Sequence, residues 1–337
     1  MDQTGAGGAD ARMPSGFAVR ERTDTDLEAV AELTNRHVRP VERESATGFR
    51  RWAVMNPMPT QLALVVTDQD GALVAHANAS DGGVWAQADR SWRGGLIVDR
   101  AVRGRGIGRA LQYRLEAHAR GHGASRINSR VRSDEPDALA FAIALGYAEY
   151  HRRYNSYLEV PIFDEARFED PAAVAERAGV RLATLGETWD TAADEEAFLR
   201  RFYAANREYT ADVPFPDPFV LPPFEAIRKM LFESPTLDRA ATILVLRAGQ
   251  IVGFTMTDVS DLGIGYTFMT GVARAERGKG FALALKLRAI AALRARGVQW
   301  FGTTNDEANA PMRGINRRLG YLTDPAQVQV RKLFTVS

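Results

Sequence analysis

The sequence predicts an α/β chain in which one mixed β-sheet with flanking helices is laid down twice. Three observations carry this. The first is a passage from strand to glycine turn to helix. Tyr266-Thr-Phe268-Met-Thr-Gly271-Val272 precedes Arg277-Gly278-Lys279-Gly280-Phe281-Ala282, and Leu283, Leu287, Ile290 and Ala291 then recur at helical spacing. The second is an earlier copy of that passage, in which Ile97-Val98 leads into Arg103-Gly104-Arg105-Gly106-Ile107-Gly108 and a helix marked by Leu111, Leu115 and Ala119. The third is a pair of closing turns, Leu145-Gly146-Tyr147 and Leu319-Gly320-Tyr321. Gly106 and Gly280 are 174 residues apart, and so are Gly146 and Gly320. An ungapped match across strand, loop, helix and turn is an internal duplication.

Taken in order, residues 1–15 are rich in Gly, Ala and Asp and read as a flexible tail. The first domain, 16–160, opens with a strand at Phe17–Arg20 and a helix capped by Asp24 or Thr25 and carrying Leu27, Val30, Ala31 and Leu33. A second helix from Glu44 to Met55 stops at Asn56-Pro57. Asp70-Gly71 joins strands at Leu62–Val66 and Ala72–His76 into a hairpin. The strand from Trp92 to Val98 feeds the first loop and its helix. A strand at Ser125–Val131, a helix capped by Ser133 or Asp134, and a last strand at Tyr154–Val160 follow.

The second domain, 161–337, restarts the order at Val180–Leu185, with helices near Glu195–Asn206 and Phe224–Phe232. Between them, Val213-Pro-Phe-Pro-Asp-Pro-Phe-Val-Leu-Pro-Pro223 forbids regular structure and reads either as a stiff connector or as a wall of a pocket. Thr242–Leu246 and Ile251–Phe254 flank Ala248-Gly249 as a hairpin, and Val328–Val336 supplies the final strand.

Each loop sets two glycines and two cations before a helix, so backbone N–H groups and the positive helix end converge on one point. That is a cradle for a pyrophosphate. The Walker pattern is absent here, and Leu283 occupies the place of the third glycine of a dinucleotide fingerprint. Arg-Gly-x-Gly-x-Ala after a strand ending in Val, closed by Leu-Gly-Tyr, resembles the GNAT family of N-acetyltransferases over nearly the whole chain. The resemblance implies two GNAT domains in tandem, each a twisted mixed sheet flanked by helices. It also implies acetyl-CoA as acyl donor, with no metal. Ile97, Val98, Arg103, Gly104, Arg105, Gly106, Ile107 and Gly108 would hold CoA in the first domain. Gly271, Val272, Arg277, Gly278, Lys279, Gly280, Phe281 and Ala282 would do so in the second, with Asn305 and Asn309 from the following strand end and helix.

Direct transfer to an amine needs a base, because lysine-like amines titrate near ~10. It also needs N–H donors for the oxyanion. All five histidines lie in the first half, so the second domain offers carboxylates instead: Asp258, Asp261, Glu208 and Asp212. Asn309 also reads as a helix cap, with Pro311 in the first turn. The first domain has Val131, Glu135 and Ala142 where the second has Asn305, Asn309 and Asn316, so the second is expected to be catalytic. Many GNAT enzymes carry an acid tyrosine four residues before the closing glycine. Asn316 and Ala142 stand there, which leaves Tyr266 and Tyr321 as hydroxyl donors and Asn316 as a polar contact at the acyl end.

Composition narrows the partners. A net charge of +1 gives no electrostatic reason for nucleic acid or membrane binding. The absence of cysteine excludes disulfides, thiolate metal sites and a cysteine nucleophile. His118 and His122 sit four apart on a helix without a third ligand nearby in sequence. The expected protein is a cytoplasmic monomer or homodimer acting on a small-molecule amine. Peptide acetylation, or CoA binding without transfer, is the rival reading.

Overall fold

A computed structural model describes residues 12–335 of the chain. Residues 1–11 of the expected tail, and Val336 at the end of the expected last strand, lie outside the described residues. The chain divides into two compact units, Met1–Arg152 with Gln327–Ser337, and Arg153–Ala326.

The first unit runs β1 (Ala18–Glu21), α1 (Leu27–Asn35), α2 (Ala46–Met55), β2 (Leu62–Thr67), β3 (Leu73–Ser80), β4 (Ser91–Val98), α3 (Ile107–Gly121), β5 (Arg126–Arg132), α4 (Pro136–Ala144) and the start of β6 (Ala148–Glu159). Strands β1 to β4 form an antiparallel meander, β4 pairs β5 in parallel, and the chain's last strand, Gln327–Leu333, pairs β5 antiparallel on its other side. Helix α3 turns Ile107, Leu111, Leu115 and Ala119 inward at helical spacing, onto Val66, Ala75, Trp92 and Ile127 of the sheet.

The second unit continues through α5 (Pro171–Ala178), β7 (Arg181–Thr184), α6 (Leu185–Asp190), α7 (Glu195–Thr210), α8 (Phe224–Ile227), β8 (Ile243–Arg247), β9 (Gln250–Val259), β10 (Ile264–Val272), α9 (Phe281–Ala295), β11 (Trp300–Asp306), α10 (Ala310–Leu319), β12 (Leu322–Thr323) and the last strand, β13. Its sheet order is β6-β11-β10-β9-β8-β7, with β12 on the other side of β6. Phe281, Leu285, Ile290 and Leu293 of α9 pack on Ile243, Val245 and Phe301, and on the opposite face Phe202 of α7 stacks near Phe254. No helix among the described residues is long and apolar enough to cross a membrane.

The expected boundary at residue 160 is corrected. Strand β6, expected to complete the first sheet, pairs β11 of the second, and β13, expected to complete the second, pairs β5 of the first. The duplication explains why the exchange is tolerated. Ile127 faces Lys332 and Phe301 faces Leu158, which are the same register with the two copies traded.

Smaller differences have local causes. The first helix is capped by a box between Thr23 and Asp26 rather than by Asp24 or Thr25. Helix α4 starts on Pro136 with Glu135 as N-cap, so neither Ser133 nor Asp134 caps it. The helix expected over Phe224–Phe232 becomes one α turn followed by a π turn at Arg228–Phe232. Helices α5 and α6 were not foreseen. Each is a short element held by its N-cap, Asp170 accepting from the Ala172 N–H at 2.8 Å and Thr184 from the Glu187 N–H at 3.0 Å.

Candidate functional site

Both glycine loops fold alike. Gly104 and Gly106 have φ of 78° and 90°, and Gly278 and Gly280 have 78° and 85°, left-handed values that side chains resist. Gly106 and Gly280 are the N-caps of α3 and α9, so the first-turn amides of each helix face outward without intrahelical partners. In each loop the arginine is tied back to the preceding strand. Arg103 Nε donates to the Val98 carbonyl at 3.0 Å, and Arg277 Nε to the Val272 carbonyl at 3.1 Å. Ile97 and Gly271 are the strand residues just before those valines. Gly271 lies against the Tyr209 ring, where a Cβ would approach within 2.6 Å. Ile107 and Phe281 point into the two cores, Gly108 packs under Phe141, and Ala282 packs on the second core, so these four support the loops through packing.

Charge around the second loop is organised. Asp212, at the end of α7, accepts from both Arg274 and Arg277, with Arg274 Nε at 3.0 Å. Hydrogen bonds from Arg274 and then Arg277 hold its carboxyl down at about 2, so Asp212 is a clamp on the loop and a poor proton acceptor near neutrality. That corrects its candidacy as the base. Glu276 similarly joins Arg247, at 2.7 Å, to Lys279, at 2.8 Å. An open cleft of about 620 Å³ adjoins this loop, between Val174, Arg177 and Ala178 of α5, Arg247, and Gly278–Gly280. In the first unit Arg105 is exposed, and Arg100 and Arg103 stand 3.7 and 3.9 Å from Glu135, the N-cap of α4.

Beside each loop two parallel strands part. Pairing of β10 with β11 covers Ile264–Thr267 against Trp300–Thr303 and ends there, although β10 runs on to Val272 and β11 to Asp306. The gap presents strand-edge N–H and C=O groups to any extended, amide-bearing ligand. At its apex the β9–β10 register slips by one residue between Thr267 and Met269, making Phe268 the extra residue of a bulge. In the first unit β4 and β5 pair only over Ser91–Arg93 and Arg126–Asn128, while the β3–β4 register runs without a slip from Ala75 to Ser80.

Candidate side chains divide between the two faces of that gap. On the α9 face, Asn316 Nδ2 donates to Asn305 Oδ1, and Asn309 caps α10 by accepting from the Met312 N–H at 3.3 Å. On the α7 face, Tyr266 hydrogen-bonds the Thr304 hydroxyl, which donates to Asn155 Oδ1 at 2.6 Å. Asp258 stands opposite Tyr266 in the β9–β10 register and shares that face. Asp261 and Glu208 are not gathered in. Asp261 is exposed in the β9–β10 turn, at the end of β10 away from the glycine loop, and Glu208 is exposed on α7. Sequence reasoning missed Asn155 and Thr304. Asn155 reaches the site only through the exchanged strand, and no local pattern in the sequence marks such an exchange.

The histidine pair of the first unit is used structurally. His118 Nε2 lies 2.8 Å from the Thr60 carbonyl, and its ring contacts His122 and Trp92.

Comparisons with known proteins follow the same lines. The profile described as the Acetyltransferase (GNAT) family matches residues 27–147 and again 196–321. A mycothiol acetyltransferase of Thermobispora bispora is 31% identical over 247 residues, covering 71% of this chain and 75% of that protein. One from Thermomonospora curvata is 28% identical over 297 residues, covering 87% of this chain and 88% of its own length. Among solved structures, a GCN5-related N-acetyltransferase from Sphaerobacter thermophilus is similar with a TM-score of 0.73 at 22% identity, covering 96% of this chain and 97% of that one. A tandem GNAT protein from the clavulanic acid biosynthesis pathway is similar with a TM-score of 0.70 at 20% identity, covering 95% and 99%. At such identities the structural likeness is one of fold.

Proposed function

Because this chain belongs to the GNAT acetyltransferase family, we propose that its second unit transfers the acetyl group of acetyl-CoA directly to a primary amine of a small molecule, while its first unit binds CoA without turning it over. The observation that carries this division of labour is the bulge at Phe268, at the apex of the β10–β11 gap, beside a complete pyrophosphate loop.

In this reading the CoA pyrophosphate sits on the first-turn amides of α9, within reach of Arg277 and Lys279. The amide-bearing arm of CoA runs along the open edges of β10 and β11. Asn305, Asn309 and Asn316 line its α9 side. The thioester carbonyl meets backbone N–H groups that the bulge turns out of the ladder, and they stabilise the oxyanion as the amine attacks. The acceptor approaches from the α7 face, where Asp258 takes the amine proton directly or through water and Tyr266 with Thr304 holds the polar end. Holding donor and acceptor together supplies much of the rate. The names carried by the relatives favour a small molecule over a peptide.

For the first unit the loop is complete, which supports CoA binding. Glu135 in place of Asn309 puts a carboxylate beside Arg100 and Arg103, where phosphate would otherwise be met. The test combines calorimetric titration of CoA with thiol release from acetyl-CoA across a panel of small primary amines and peptides. Two binding events, with release for at least one small amine, are expected. Release only with peptides removes the acceptor assignment, and no release with any amine favours CoA binding alone.

A further inference from the structure

Under α9, on the face of the sheet that carries Asn305, lies a group of buried polar atoms without hydrogen-bond partners among the described residues. They are Lys286 Nζ, Thr257 Oγ1 and Asn316 Oδ1, and among them the Tyr321 hydroxyl meets the side chain of Thr267. Thr257 and Thr267 are register partners on β9 and β10, so their side chains stand together. Lys286 Nζ lies 5.1 Å from the centre of the Tyr321 ring and 5.8 Å from that of Phe301. Lys286 is wholly buried. Buried polar groups are almost always satisfied, by protein or by ordered water, so three orphans beside a buried hydroxyl pair on one face mark a place where water belongs.

The corresponding place in the first unit is closed. Gln112, the repeat mate of Lys286, donates to the hydroxyl of Tyr147, the mate of Tyr321. Tyr147 in turn donates to Glu116 at 3.2 Å, and Lys332 pairs with Glu116 at 2.7 Å. In the second unit Ile290 stands for Glu116 and Leu158 for Lys332, so the only cation of the group has no carboxylate to answer it.

We propose that Lys286, Tyr321, Thr257, Thr267 and Asn316 enclose a water-holding chamber that hands a proton from the Lys286 ammonium to the CoA thiolate as it leaves. The position fits the need. Thr267 is in the last parallel pair before β10 and β11 part and immediately precedes the bulge, and Asn316 is bonded to Asn305 inside the gap. The tyrosine that would otherwise act as acid is replaced by Asn316 itself. As the C–S bond breaks, its electron pair stays on sulfur and takes a proton arriving through water and hydroxyls. Lys286 is left neutral and is reprotonated from bulk solvent through the same water between turnovers, while the proton shed by the acceptor amine leaves by Asp258 on the other face. Lys286 acts through the chamber and does not touch the substrate.

Burial alone brings the Lys286 amine down to about 7, where it can give and regain a proton under working conditions. Tyr321 faces it, and burial pushes that phenol up despite its hydrogen bond with Thr267, so it stays protonated. Asp258 on β9, Tyr266 on β10 and Asp306 on β11 alternate onto the opposite face of the sheet. On α5 and β8, Arg177 pairs with Glu169 and Arg247 with Glu276, both at the glycine-loop end.

This inference rests on the second unit being the transferase, and the experiment separates the two. The pH dependence of kcat is measured for wild type, Lys286→Met and Lys286→Gln, with Gly280→Trp as control. The donor must be protonated, so wild-type kcat should fall as pH rises through about 7, beyond the limb set by the base. Both Lys286 variants should lose that falling limb and about 10–100-fold in kcat, with KM for acetyl-CoA unchanged. Folding stability gives a second reading. An amine lowered in the fold is charged only at a cost, so wild-type stability should rise from about pH 7 to about pH 10, and Lys286→Met should not show that rise. Lys286→Gln copies the first unit's own solution and keeps the test open if the methionine variant does not fold. A falling limb retained in a folded variant overturns the proposal. Activity that survives Gly280→Trp overturns the underlying assignment instead.

Discussion

Gly106 and Gly280 cap their helices with φ of 90° and 85°, and in both units an arginine Nε reaches back to the valine carbonyl that ends the preceding strand. A few residues away the likeness stops. The β9–β10 register slips at Phe268 while β3–β4 stays regular, Asn309 is exchanged for Glu135, and the buried polar layer under the helix is hydrogen-bonded through in the first unit but leaves Lys286 Nζ without a hydrogen-bond partner among the described residues in the second. A backbone cradle for phosphate depends on glycines and a helix end, so it survives divergence of almost everything around it. Oxyanion donors, a base and a proton supply each depend on single side chains or on one extra residue in a strand. On the proposed reading, the duplicated part is the part that would bind the donor, and the diverged part is the part that would react.

The sharpest way to break that comparison is to spoil each cradle in turn. Gly280→Trp places a side chain on a left-handed residue and against the approaching phosphates, and should cost at least ~100-fold in turnover by displacing the thioester. Gly106→Trp should leave kcat within about twofold while removing one CoA binding event. Equal losses, in variants shown to be folded by cooperative melting, would mean two working sites.

Next in size is the base. Asp258→Asn should lower kcat by about 100-fold near neutral pH, and Asp261→Asn, changed in the exposed turn, should stay within about twofold. Steady-state rates of both against one amine decide it, and a reversed order would move the acceptor to the other end of β10.

The smallest effect lies in acid. Asp212 is held at about 2 by Arg274 and Arg277, well below the ordinary ~3.9 of an unfolded aspartate. A depressed carboxylate gives stability that is present above pH ~4 and lost as pH falls toward 2. Asp212→Asn should flatten that loss in the second unit. In the first unit the matching sensitivity belongs to Asp26, which Arg20 holds below the usual range at the start of α1, far in sequence from the loop. Acid unfolding of wild type and Asp212→Asn, followed by near-UV dichroism, reads the difference.

Most of the fold was legible because its signals are local. Asp70-Gly71 makes a hairpin, Leu111-Leu115-Ala119 makes a helix face, and two glycines before a helix make a cradle. The cap at Asn309 was legible for the same reason. What escaped depends on tertiary contact. Asp212 reads as a candidate base until the fold sets Arg274 and Arg277 beside it, and nothing in the sequence marks Lys286 as buried until β11 and the turn at Tyr321 cover it. The short caps at Asp170 and Thr184 were missed because neither starts a long periodic run.

The exchanged strand sets an order of events during synthesis. When β5 leaves the ribosome, the strand that will cover its outer edge is still nearly two hundred codons away, since β5 ends at Arg132 and its partner begins at Gln327. The first unit must wait with an open sheet edge, the kind of surface that recruits stray strands and chaperones, until the second has been made. A stop codon just before residue 327 would spare every loop and side chain discussed above except Lys332, and would still leave a protein unable to finish its first half.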